Sequence, residues 1–292
     1  MEIIIDALLD ALKDGALGIP ILFITYTLME LLERSEKLSE DILQRFSRKT
    51  GPAIGGVLGI VPQCGMAGAA ATLFSTGAIS VGTMLAVFFA SSDEMLPIML
   101  SALTDGSGFT VKKLLLITLS KAALGIMLGY LADIVLNRSI NRAKNIHSFC
   151  EREHCACEEE EGNVFMAALV HTLKIAVMLI AVGFALNLVI ELIGPENISN
   201  SLVTKPVVGE LMLSLLGLIP NCSISVILTE AYLGGIIGTG GLFAGLLSNA
   251  GTGLLVLIRT NRSRRENLTV IAVCALFSFI AGTVITLVET VL

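Results

Sequence analysis

The stretch Gly59-Ile60-Val61-Pro62-Gln63-Cys64 returns 158 positions later as Gly217-Leu218-Ile219-Pro220-Asn221-Cys222. At the same offset Gly77 falls on Gly235, Ile79 on Ile237, Gly82 on Gly240, Ala86 on Ala244 and Leu96 on Leu254. One unbroken offset that keeps Pro-x-Cys and three glycines points to internal duplication. A second match, at an offset of 161, aligns Ala7, Leu8, Leu12, Lys13, Glu30 and Leu31 with Ala168, Leu169, Leu173, Lys174, Glu191 and Leu192. The chain therefore reads as two related halves, each built around a Pro-x-Cys break.

Of the 292 residues, 54% are hydrophobic and 15% charged, and there is no tryptophan. With a mean hydropathy of +0.84, this composition excludes an ordinary soluble domain and predicts an all-α polytopic membrane protein. Thirteen of the nineteen Lys and Arg lie in three short segments, Arg34 to Lys49, Arg138 to Arg152 and Arg259 to Arg265. Those segments are expected to be cytoplasmic. The stretch Met1 to Lys13 carries acids ahead of its first base and has no small-residue cleavage site, so it does not read as a signal peptide.

Long apolar runs cover about 3–33, 78–100, 112–136, 164–193, 236–258 and 268–291. The Pro-x-Cys intervals, Pro52 to Gly77 and Gly209 to Leu233, are different. Each arm spans roughly 15 Å, half of a hydrocarbon core about 30 Å thick. Each interval is either one broken helix that crosses once or a hairpin that enters to mid-membrane and returns. Single crossings would place Arg138, Arg142 and Lys144 outside, whereas returning hairpins keep all three basic segments inside. The returning arrangement puts both termini outside and inverts one half relative to the other. The expected organisation is a first inverted repeat over 1–136, a cytoplasmic linker over 137–162 and a second inverted repeat over 163–292. Each repeat holds a long helix, a broken hairpin and two further membrane helices.

Inverted repeats with interrupted helices are characteristic of secondary transporters, which hold substrate near the midplane. The hairpins bring Gln63 and Cys64, and Asn221 and Cys222, to that depth. Pro62 and Pro220 end the entering arms because proline donates no helical hydrogen bond. Ser223 and Ser225 are candidates to cap the returning arm. The bland alternative is a pair of packing kinks with buried cysteines, and the duplicated amide plus thiol argues against it. A second constellation is Ser92, Asp93 and Glu94, roughly 12 Å below the outer end of their run, where a charge requires a partner or water. Lys121 and Lys13 share that depth, so an intramembrane cluster of Asp93 or Glu94 with Lys121 or Lys13 is expected. It would serve proton coupling or cation ligation if it is more than a structural ion pair. The counterparts of Ser91 to Glu94 are Asn249 to Thr252, so the acids occur in one half alone. Asn249, His171 and Lys174 share a depth nearer the inner side and form a weaker polar patch. Glu210, Thr229 and Glu230 lie near the outer mouth of the second hairpin, as exit-path residues or as solvated helix ends.

The linker carries His147, Cys150, His154, Cys155 and Cys157 within eleven residues, followed by Glu158 to Glu161. Three thiols and two imidazoles match soft or borderline metals: zinc, copper(I), cadmium or trivalent arsenic. The spacing is not that of a standard zinc finger, and a reducing cytoplasm disfavours a disulfide. A flexible capturing or sensing loop is the reading, against a merely Cys-rich linker. No tightly bound cofactor is expected elsewhere, and Cys274 reads as packing.

Several strings carry a family resemblance: Pro62-Gln63-Cys64, Ser92-Asp93-Glu94-Met95-Leu96-Pro97, Ile219-Pro220-Asn221-Cys222, Leu228-Thr229-Glu230-Ala231-Tyr232 and Ser248-Asn249-Ala250-Gly251. The chain resembles the heavy-metal exporters with ten membrane segments, whose members are labelled arsenic efflux proteins or manganese transporters. It departs from their pattern around Gly234-Gly235 and Thr252. The resemblance implies an exporter in a bacterial or archaeal plasma (inner) membrane, with the bilayer and a metal or metalloid ion as partners. Self-association is compatible with it, and no nucleic-acid partner is expected. The reading is secondary-active efflux by alternating access, with substrate between the hairpin tips. No GxxxxGK[ST] loop is present to bring ATP into this chain. The alternatives are a carrier of an oxyanion or small organic anion, and an intramembrane enzyme with Cys64 or Cys222 as nucleophile and His171 as base.

Overall fold

The computed structural model describes residues 50–61, 64–91, 94–103, 109–136, 207–261 and 263–291, with isolated positions between 19 and 27 and between 166 and 188. Among the described residues there are ten α-helices and no strand: α1 (Gly51–Gly59), α2 (Cys64–Ser75), α3 (Val81–Ala90), α4 (Met95–Ser101), α5 (Val111–Leu136), α6 (Val208–Gly217), α7 (Cys222–Leu233), α8 (Thr239–Ser248), α9 (Gly253–Thr260) and α10 (Arg264–Val291). Among the described residues four stretches are long and apolar enough to cross a membrane: α3–α4, α5, α8–α9 and α10. The outer faces of α5 and α10 expose Leu116, Leu119, Ile134, Leu276, Ile280 and Val284, as expected of helices whose solvent is lipid rather than water.

Among the described residues, helices after the two Pro-x-Cys breaks share one register. Displaced by 158, α2 coincides with α7 and α3 with α8. The turns inside each pair are also copies. Gly77 (φ 82) and Gly235 (φ 72) adopt the left-handed conformation. The N–H groups of Gly77 and Ala78 donate to Phe74 and Leu73, and those of Gly235 and Ile236 donate to Tyr232 and Ala231. Each is a glycine-closed helix end that satisfies carbonyls the helix itself leaves open.

In each half the helix before Pro-x-Cys packs along the helix that begins after the glycine turn, α1 on α3 and α6 on α8. A Cβ on Gly55 would meet Thr83 and Val87, and one on Gly59 would lie 2.8 Å from the Ala90 Cβ. So α1 runs alongside α3 in the same direction and stops level with its end. A short turn joins α2 to the start of α3. In the second half α6 does the same beside α8, with Leu213 near Gly241 and Gly217 against Gly245 and Ser248.

The last helix of each half runs antiparallel to this core through close glycine contacts. A Cβ on Gly129 would lie 2.6 Å from the Gly82 carbonyl and 2.8 Å from the Ala86 Cβ; one on Gly282 would lie 2.6 Å from both the Gly240 carbonyl and the Ala244 Cβ. Those identical contacts place Gly129 and Gly282 as counterparts. The repeat offset therefore shortens in the last helix, because the connection before α10 is shorter than the one before α5.

Between the halves, α2 lies beside α9. A Cβ on Gly253 would lie 2.8 Å from the Ala67 Cβ, and the Ser75 and Thr260 hydroxyls are 2.7 Å apart. The two helices therefore run in the same direction. The Phe89 and Phe277 rings, 6.4 Å apart, join α3 to α10. One core runs through both halves, including Met84, Phe88, Met95, Leu228, Leu242 and Leu247.

The sequence reads 78–100 and 236–258 as unbroken apolar runs, and the structure interrupts both. Ser91 (ψ 129) and Asn249 (ψ 90) leave the helical region. Asn249 Oδ1 accepts the Gly251 N–H at 2.9 Å, and Gly251 takes φ 50. A local side-chain acceptor together with a glycine outcompetes helix continuation there.

Candidate functional site

In each half the helix before Pro-x-Cys ends beside a helix break. The first hairpin tip follows Gly59, which packs on Ala90 beside the α3–α4 break, and the second follows Gly217, which packs on Ser248 beside the α8–α9 break. An interrupted helix leaves backbone groups open, and away from water each must find a partner. The polar residues beside these breaks are therefore the ones that decide what the protein can bind.

At the second tip Asn221 is the helix cap. Its backbone is extended, and Oδ1 accepts the Ser223 N–H at 2.9 Å. This corrects the expectation that Ser223 and Ser225 cap α7. The Ser225 hydroxyl instead donates to the Cys222 carbonyl at 2.7 Å. A carboxamide one residue before the helix presents its acceptor to the first open N–H groups, and a hydroxyl already inside the first turn cannot. Asn221 and Cys222 are each 4% exposed, while Ile219 and Pro220 before them are partly exposed. At the first tip Cys64 opens α2; its side chain and Gln63 lie outside the described residues.

Lys121 is 2% exposed. Its Nζ donates to the carbonyl of Ser91, the first residue past α3. An ammonium against the carbonyl end of an interrupted helix is favoured by charge as well as by the hydrogen bond. Glu94 stands at the start of α4, partly buried, with no capping bond from its side chain. Ser92, Asp93 and Lys13, the rest of the expected charge cluster, lie outside the described residues, as do His171, Lys174 and the linker ligands His147, Cys150, His154, Cys155 and Cys157. Asn249 is buried at the second break. Among the described residues no group of three His, Cys, Asp or Glu side chains is close enough to hold a metal ion.

Of the residues expected at the mouth of the second hairpin, Glu230 is exposed and Thr229 is buried, its hydroxyl donating to Ser225 O at 2.7 Å. Glu210 is buried rather than solvated. It accepts from the Thr286 hydroxyl at 2.6 Å and from the Val207 N–H, tying α6 to α10. Asp133 does related work at the end of α5 and was missed in the sequence. It accepts from the Ser80 hydroxyl at 2.7 Å and the Gly82 N–H at 2.8 Å, closing the N-terminus of α3. Its signal was faint: a single acid in the last turn of an apolar run. Cys274, read as packing, is fully buried.

Residues 1–195 match the model of a family described as "Putative, 10TM heavy-metal exporter", and the chain belongs to that family. No curated protein and no solved structure matches it.

Proposed function

We propose that this member of the heavy-metal exporter family moves a metal or metalloid ion out of the cell by alternating access, between two inverted halves. What carries the reading is that in each half the arm before Pro-x-Cys, α1 or α6, ends beside the break that follows α3 or α8. Inversion is supported by direction. Helix α2 runs with α9 and reverses into α3, while α8 continues into α9 along α10, so α3 and α8 run oppositely. The pairing also puts the end of α5 and the start of α10 on one face. That face carries Arg259, Arg264 and Arg265 and leads into the basic linker, which supports a cytoplasmic assignment in an inner membrane and both termini outside.

In this account substrate binds between Gln63 and Cys64 on one tip and Asn221 and Cys222 on the other, with Ser92, Asp93, Glu94 and Asn249 beside them. Lys121 links charge at the first break to the position of α5, and Lys13, His171 and Lys174 complete the polar path. The linker ligands capture the ion on the cytoplasmic side. A second reading, a carrier of an oxyanion or organic anion, is favoured by Lys121 and by the helix N-termini of α4, α7 and α9. The test is a panel of metals and metalloids, arsenate included, scored by resistance and intracellular content. Wild type is compared with Cys64→Ser plus Cys222→Ser and with a chain whose five linker ligands are replaced. Selective loss of resistance to one element in the first variant names the substrate; unchanged content of every element sinks the exporter reading.

A further inference from the structure

The two helix breaks are built alike but neutralised differently. Gly129 and Gly282 make the same contacts on α3 and α8, and they are 153 residues apart. In that register the buried stripe of α5 (Leu114, Ile117, Lys121, Gly125, Gly129) superposes on that of α10: Asn267, Val270, Cys274, Ser278 and Gly282. Lys121, which brings a positive charge to the end of α3, therefore has the neutral Cys274 as its counterpart. One turn along, Gly125 is replaced by Ser278.

The carbonyl end of α8 is open. Among the described residues no N–H or hydroxyl reaches the carbonyls of Leu246, Leu247 and Asn249, because Ala250 N–H turns back to Ser248 and Gly251 N–H goes to the Asn249 side chain. The Ser278 hydroxyl is 0% exposed and has no hydrogen-bond partner. Buried hydroxyls on neighbouring helices, those of Thr72, Thr118, Ser225, Thr229 and Ser248, all bond back to a carbonyl of their own helix. Gly282 packs between Gly240 and Ala244, so Ser278, one turn earlier on an antiparallel helix, faces the last turn of α8. Thr283, also without a partner, is only partly buried and lies off this stripe.

The geometry points to a cation site at the end of α8, formed by the open carbonyls of that helix and the Ser278 hydroxyl, which does for the second half what the Lys121 ammonium does for the first. The donors are neutral oxygens, and α8 and α9 carry no carboxylate. Such a set suits a hard monovalent ion better than a divalent one, whose ligands are usually carboxylates. The helix carbonyl end favours positive charge, and interrupted helices hold coupling ions in this way. Sodium is the ion to test, as a coupling ion distinct from the exported one. The inference rests on the repeat reading and not on the identity of the cargo.

The experiment is saturation binding of radiolabelled sodium to the full chain purified in detergent, with choline holding ionic strength constant. Wild type is expected to bind saturably, Ser278→Ala at least tenfold more weakly, and Cys274→Lys, which brings a tethered ammonium to the second break, not at all. Size-exclusion profiles establish that each variant is folded; if Cys274→Lys is not, Ser278→Ala decides. Absence of saturable binding in wild type, or wild-type affinity in Ser278→Ala, overturns the site. Metal export that continues in sodium-free medium, without sodium binding, overturns this inference and leaves the exporter reading standing.

Discussion

Replacing Lys121 by methionine separates what this buried cation does for the fold from what it does for transport. Methionine keeps most of the stem volume, so the cavity contribution is small. What disappears is the ammonium on the Ser91 carbonyl, in a site 2% exposed. Leaving that carbonyl unpaired costs about 1–3 kcal/mol. Release of a desolvated charge offsets part of it, and about 2 kcal/mol is expected to remain. At roughly 2–4 °C per kcal/mol for a chain of this size, the apparent Tm in detergent at fixed scan rate falls by about 4–8 °C. Lys112→Met and Lys113→Met, at exposed positions on α5, leave Tm within error and serve as controls. Metal efflux by Lys121→Met is expected to fall further than the loss of folded protein explains. A variant as stable as wild type, with unchanged efflux, would refute the role given to Lys121.

Asn221→Ala removes the α7 cap and costs about 0.5–2 kcal/mol; Asn221→Ser keeps a neutral capping acceptor, so it retains most of the Tm while altering efflux if the tip touches substrate. Equal efflux in Asn221→Ser and wild type would leave Asn221 a cap and nothing more. Gly235 sits at φ 72 with no atom within 4 Å of an added Cβ, so Gly235→Ala costs only the left-handed conformation, about 1–2 kcal/mol. Gly282→Ala drives a Cβ onto Ala244 and the Gly240 backbone and is expected to lower the yield of folded protein sharply; equal expression of both variants would contradict the packing described. For Glu210 and Thr286, bonded at 2.6 Å, a double-mutant cycle with Glu210→Gln and Thr286→Val is expected to show coupling of about 0.5–3 kcal/mol in unfolding. Additive effects would show that the contact holds nothing together.

The expectation of returning hairpins rested on two independent signals. Arms of half-membrane length ruled out ordinary spanning pairs, and the clustered Arg and Lys favoured a return. The breaks after α3 and α8 were not legible as breaks. Phe88, Phe89 and Ala90 run apolar into Ser91, and Leu246 and Leu247 into Ser248, so hydropathy reads one long helix; what ends each helix is the backbone turn at Ser91 and the Asn249 to Gly251 bond. Counting residues singled out Lys121 as a charge deep within its apolar run. The contact described is to a main-chain carbonyl, which no side-chain pattern marks. Asp133 and Ser278 were missed because their meaning depends on contacts made across the bundle. The counterpart of Lys121 was likewise hidden, since the connection before α10 shifts the register and no residue match survives to reveal it.

The most direct test of the central claim is energised uptake into everted membrane vesicles, measured element by element for a panel of metals and metalloids, with wild-type protein, without it, and with Cys64→Ser plus Cys222→Ser. An exporter whose substrate sits between the two tips accumulates one element or a small group of similar ones, and loses that accumulation in the double variant while the protein remains in the membrane. Vesicles containing wild-type protein that take up no element above the protein-free background would contradict the account.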